Sequence, residues 1–180
     1  ISIHREVMVK EAQLKSLEKQ INSHFLYNVL DSIKMMAEVK GIYNVSDALL
    51  ALARMFRYNL QIDSHSVTLQ EEITYLENYL KLCNIRYDYY INLSENVEDS
   101  VKRLKVPKVI LQPIAENSIA HGLDELAEDT TIYLKAYIKE DRACIEMTDI
   151  GKGMDEKKLE KVREVILNGG GGDNSTNGIG

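Results

Sequence analysis

The chain has 180 residues, 44% of them hydrophobic and 28% charged, the composition of ordinary folded protein in one large or two small domains rather than of a disordered chain. Lys and Arg number 22 against 28 Asp and Glu, a net charge of -6, so the broad basic surface of a nucleic-acid binder is missing and no nucleic acid is expected as a partner. Cys83 and Cys144 sit in apolar periodic segments with no metal-ligand spacing, which excludes a disulfide framework or zinc site from the reading and fits a reducing, cytosolic setting. No apolar run reaches the ~18 residues of a membrane span, no signal-peptide pattern is present, and an opening Ile rather than Met reads as a piece of a longer protein.

Along the chain, Leu14, Leu17, Ile21, Phe25, Val29, Ile33 and Met36 recur at spacings of three or four, which predicts a first helix ending near Gly41. Ala48, Leu52, Met55, Phe56 and Leu60 predict a second, folding back on the first. Two helices bury little alone, so a second copy is expected to complete a four-helix bundle, implying a homodimer. Thr68 and Glu71 have capping-box spacing ahead of Leu69, Ile73, Leu76, Leu80, Cys83 and Tyr87, which predict a third helix. From Tyr89 the period becomes two. Ile132, Leu134, Ala136 and Ile138 alternate with Tyr133, Lys135 and Tyr137, and Ile145, Met147 and Asp149 share one face of a later strand. Pro107 to His121 reads as a helix with Pro107 in its first turn and a kink at Pro113. A last helix is expected from about Asp155 to Leu167. The fold class is therefore α+β, helical at first and mixed afterwards.

Beside the first helix's apolar stripe, His24, Asn28 and Asp31 form a polar strip at spacings of four and three. A lone helical histidine is more often structural than functional. The string Gln20-Ile21-Asn22-Ser23-His24-Phe25-Leu26-Tyr27-Asn28, however, resembles the phosphoacceptor box of LytS/YesM-type sensor histidine kinases, with Ser23 where the family carries proline. Arg54-Met55-Phe56-Arg57-Tyr58 and Leu69-Gln70-Glu71-Glu72 with Tyr79-Leu80 resemble the family's following helices. Pro107 to Gly122 is similar to its N-box helix. On that helix Asn117 and His121 stand four apart, and Glu116 is its only carboxylate. Taken alone, the segment also reads as an exposed helix whose end at Gly122 favours His121 through the dipole.

Asp149-Ile150-Gly151-Lys152-Gly153 resembles the G1 box of the GHKL ATP-binding fold, with Ile150 where asparagine is usual; on its own D-x-G-x-G is most often a turn. Gly169 to Gly180 reads on composition as a flexible linker and by resemblance as an ATP lid, with Gly178-Ile179-Gly180 opening the G2 box.

The resemblance implies acceptor and dimerisation helices over residues 1–65, then a linking helix and a GHKL-type ATP-binding domain over 66–180 that is incomplete at its C-terminus. It implies ATP and Mg²⁺ as cofactors. His24 would be the phosphoacceptor, with Asn28 orienting water for the reverse, phosphatase, reaction and Glu116 assisting proton transfer. Asn117 would hold the metal. Asn117, His121, Asp149, Gly151, Gly153, Gly178 and Gly180 would line the nucleotide site, with Asp149 reading the adenine amine. The partner implied is a cytoplasmic response regulator, and the chain would be the cytoplasmic portion of a cell-membrane sensor protein whose membrane-anchored region lies upstream. A degenerate kinase, or a GHKL protein that binds ATP as a dimerisation scaffold, is the alternative.

Overall fold

A computed structural model describes residues 23–60, 66–87, 89–120 and 128–167. The chain divides into two compact units, 1–62 and 63–180.

In the first unit, helix α1 (Ser23–Val39) folds back on α2 (Tyr43–Leu60). The reversal is a helix C-cap built on Gly41. Its amide donates to Glu38 O and the Ile42 amide to Ala37 O, both at 2.9 Å, the paired bonds of a Schellman motif. Gly41 takes φ +70°, a left-handed conformation that costs a residue without Cβ little. Ala37 and Ala51 are buried between the helices. Glu38, ion-paired with Lys34 at 2.8 Å, also accepts a 2.8 Å bond from the buried Ser46 hydroxyl, so α1 and the start of α2 are tied by a polar contact as well.

The second unit begins with the short strand β1 (Ser66–Thr68) and α3 (Leu69–Arg86), followed by β2 (Ile91–Val97), α4 (Asp99–Lys102), β3 (Lys105–Pro107), α5 (Leu111–Ser118), β4 (Thr130–Lys139), β5 (Arg142–Thr148) and α6 (Glu156–Leu167). The Thr68–Glu71 capping box forms as its spacing predicts. A three-stranded sheet runs β2-β4-β5. Here β2 and β4 are parallel, whereas β4 and β5 are antiparallel and joined through Glu140 and Asp141, both at positive φ, as a two-residue type I′ turn requires. A separate ribbon pairs β1 with β3 antiparallel.

Alternation along β4 places Ile132, Leu134 and Ala136 on a buried face. They meet Leu69, Ile73, Leu76 and Leu80 of α3, Val101 of α4 and Leu111, Ala115 and Ile119 from α5 and its end. Each fully buried Leu or Ile contributes roughly 1.5–3 kcal/mol, so this layer contact holds the unit together. On the opposite face Lys135 lies 4.7 Å from the Tyr137 ring centre. The architecture is α+β, as expected.

Two local expectations fail. Pro107 ends β3 instead of opening a helix, and α5 starts only at Leu111. Pro113 consequently falls in the first helical turn, where its missing N–H has no intrahelical partner to lose, so no kink is imposed.

Candidate functional site

His24 lies in the first turn of α1 and is exposed. One turn on, Asn28 Nδ2 stands 3.2 Å from His24 Nδ1, and Asn28 O accepts a 2.7 Å bond from the Ser32 hydroxyl. The expected polar strip therefore forms, with His24 and Asn28 in contact. Beside it the apolar stripe stays open: Phe25 and Met36 are each 62% exposed, and Val29 and Ile33 are also exposed. The Arg57 guanidinium lies 5.4 Å from the Tyr27 ring centre, a cation–π contact that ties the string around His24 to the Arg-Tyr string of α2.

Helix α5 carries Glu116 and Asn117. Leu111, Ala115, Ser118 and Ile119 point into the core, which leaves Glu116 exposed, bonded to the Gln112 amide, and Asn117 half-buried at the boundary between core and solvent. At its far end the Ile119 amide is shared by Ala115 O and Glu116 O. Its near end is held by a residue that the sequence reading placed only within a helix-start string. Glu72, fully buried, accepts from the Val109 amide at 2.6 Å, Ile110 at 2.7 Å and Leu111 at 3.2 Å. Val109 has φ +59°, a left-handed conformation that costs about 1–2 kcal/mol. The signal for Glu72 was its position on the apolar face of α3, three residues after Leu69 and four before Leu76.

Under α5, burial raises the Cys83 thiol above its usual range, which keeps it protonated and unreactive. Burial likewise raises the Tyr79 hydroxyl, and its bond with Cys83 adds to this.

Asp149 comes one residue after β5, half-buried. Its Oδ1 accepts from the Gly151 amide at 2.9 Å, closing a side-chain-to-backbone turn; the second oxygen takes no part in that bond. Gly153 has φ +69°, and a Cβ added there would meet nothing within 4 Å, so backbone conformation rather than crowding selects glycine. Asp155 then starts α6 by accepting from the Lys158 amide at 2.8 Å. His121, Gly178 and Gly180 lie outside the described residues.

Among the described residues no group of three His, Cys, Asp or Glu could hold a metal ion, whereas a single amide or carboxylate oxygen such as that of Asn117 suffices for Mg²⁺ that keeps waters and phosphate oxygens.

The histidine kinase family matches residues 12–91. The sensor histidine kinase YesM of Bacillus subtilis (strain 168) is 32% identical over 159 residues, 88% of this chain and 28% of YesM. The sensor protein kinase HptS of Staphylococcus aureus (strain USA300) is 33% identical over 165 residues, 92% of this chain and 31% of HptS. The chain thus spans less than a third of the length of these curated relatives. Over residues 12–91 it carries the pattern of the histidine kinase family, and along most of its length it is similar to sensor histidine kinases of the YesM type. Among the described residues no helix is long and apolar enough to cross a membrane.

Proposed function

We propose that this chain is the phosphoacceptor and ATP-binding part of a two-component sensor histidine kinase, in which His24 takes a phosphoryl group from ATP and passes it to an aspartate of a cytoplasmic response regulator. The observation that carries this reading is the exposed His24–Asn28 pair on a helix, inside the acceptor-box string of a chain related to sensor kinases along most of its length. Residues 1–65 then form the acceptor and dimerisation helices, closed into a four-helix bundle by a second copy. Residues 66–180 form a linking helix and a GHKL-type ATP-binding domain. A membrane-anchored sensor region belongs to the longer protein.

When bound, Mg²⁺–ATP supplies the γ-phosphoryl group. Asn117 would offer a hard oxygen to the metal, and Asp149, through the oxygen outside its turn, would accept from the adenine amine while Gly151 and Gly153 would let backbone approach the base. His24 would attack the γ-phosphorus through a neutral ring nitrogen, the N–P bond forming as the bond to the bridging β-phosphate oxygen breaks and ADP leaves. Attack by Nε2 needs the ring proton on Nδ1; Asn28 Nδ2 faces Nδ1 at 3.2 Å, and a turn of this amide would place Oδ1 there to accept the Nδ1 proton. Phe25 follows His24 directly, so proton removal falls to a group elsewhere, for which Glu116 is the candidate on α5. Transfer of this kind asks mainly for positioning and charge neutralisation.

The test is incubation of the full cytoplasmic region with γ-labelled ATP. Acid-labile, base-stable phosphate that disappears in His24→Gln while nucleotide binding persists is the expected result. Nucleotide binding without any labelling of His24 would instead indicate a scaffold.

A further inference from the structure

Glu72 is a fully buried carboxylate on the apolar face of α3, and the catalytic reading has no use for it. Its oxygens accept the amides of Val109, Ile110 and Leu111 at 2.6, 2.7 and 3.2 Å. These amides open α5, at the positive end of its dipole, and one belongs to Val109, a β-branched residue at φ +59°, where such residues are genuine outliers. A conformation of that kind persists only where its surroundings over-determine it. The carboxylate therefore holds both the strained entry and the first turn of the helix. Fewer than two turns later, at 3.6 residues per turn, the same helix presents Glu116 and Asn117.

We infer that Glu72 is a positioning residue for the α5 site: its buried carboxylate clamps the start of α5 and so sets the height and rotation at which Asn117 meets the phosphate-bound metal and Glu116 is held for proton removal. The inference rests on Asn117 acting at a nucleotide site. Glutamine in place of Glu72 keeps the shape but turns a donating NH₂ group towards amide donors, so at most part of the clamp survives.

The experiment compares the full chain with its Glu72→Gln variant by amide hydrogen exchange, by ¹⁵N shifts of the Asn117 side-chain amide, and by calorimetry with Mg²⁺–ADP and with adenosine alone. The variant is expected to speed exchange at Val109, Ile110 and Leu111 by about tenfold and to weaken Mg²⁺–ADP by about tenfold, the worth of one charge-assisted hydrogen bond. Adenosine affinity should stay within about twofold, since the base is read at Asp149. Unchanged exchange at the three amides overturns the inference. So does an equal loss of adenosine and Mg²⁺–ADP binding, which would mark a general structural role.

If the wild-type chain binds neither ligand, the nucleotide-site reading falls on its own. The clamp is then judged by exchange and by whether the Asn117 resonance moves. If Glu72→Gln does not fold, wild-type exchange decides. Protection of the Ile110 amide by about 100-fold or more supports the clamp, and rates near those of an unstructured chain overturn it, because a free helix start leaves that amide open.

Discussion

Asn28 and His24 face each other across one turn of α1, amide nitrogen to imidazole Nδ1 at 3.2 Å. Whichever end of the amide is turned inward selects the ring tautomer, since one imidazole nitrogen donates and the other accepts. Asn28→Ala is expected to change the Nδ1–H to Nε2–H ratio of His24, read from its ¹⁵N shifts. It should also slow labelling by about threefold to tenfold, the value of one neutral hydrogen bond. An unchanged tautomer ratio would show that the contact does not govern the ring.

The base-reading role proposed for Asp149 and the metal-positioning role proposed for Asn117 separate by substitution. Asp149→Asn should reduce the preference for ATP over GTP by about tenfold, because its amide can no longer serve only as an acceptor for the adenine amine. Asn117→Asp should slow Mg²⁺-dependent transfer by at least about tenfold while altering nucleotide affinity less. Calorimetry beside single-turnover transfer distinguishes the two; equal losses of affinity with an unaltered transfer rate for Asn117→Asp would remove its assigned role.

Phe25, Ile33 and Met36 leave an apolar stripe on α1 open to solvent, and contiguous exposed apolar surface marks an interaction site. The full chain is expected to sediment as a dimer at micromolar concentration. Met36→Glu, which introduces a charge into the proposed seam, should raise the dissociation constant by about tenfold or more. A wild-type monomer under those conditions contradicts the bundle.

Glu71 gives a pH-dependent check on α3. Its Oε2 accepts from the Thr68 amide at 2.7 Å and the Thr68 hydroxyl at 2.8 Å; the amide first and the hydroxyl second hold its carboxyl below the usual glutamate range. A depressed folded-state pKa means that the stabilisation is complete above the unfolded value of about 4.3 and is lost as pH falls through the lower folded value. Glu71→Gln should therefore cost about 0.5 kcal/mol at pH 7, the low end for a cap because the group is exposed. In urea melts the difference should shrink at about pH 3, below the unfolded value. An equal difference at both pH values would show that the charge is not the cause.

Local patterns carried the helical hairpin, the capping box and the alternation of β4, because each depends on neighbours a few residues apart. Gly41, the only glycine before Gly122, also marked the hairpin turn correctly. Pro107 misled because proline suits both a helix start and a strand end, and what decides is pairing between Ser66 and Pro107, far apart in sequence. Glu72 was visible as an acidic residue on an apolar face, but its burial depends on the later approach of residues 109–111. His24 and Asn28 were legible as a pair for the same reason as the helices: their contact is one turn long. The parallel match of Ile91 with Thr130 left no periodic trace at all.

That parallel match also orders the birth of the molecule. The crossover from β2 to β4 contains α4, β3 and α5, so the sheet closes only after β4 has been synthesised and a long loop has been drawn together. The α1–α2 hairpin, built from short-range contacts, has no such wait. As the nascent chain emerges, the helix bearing His24 is ready to form well before the layer that supports Glu116 and Asn117.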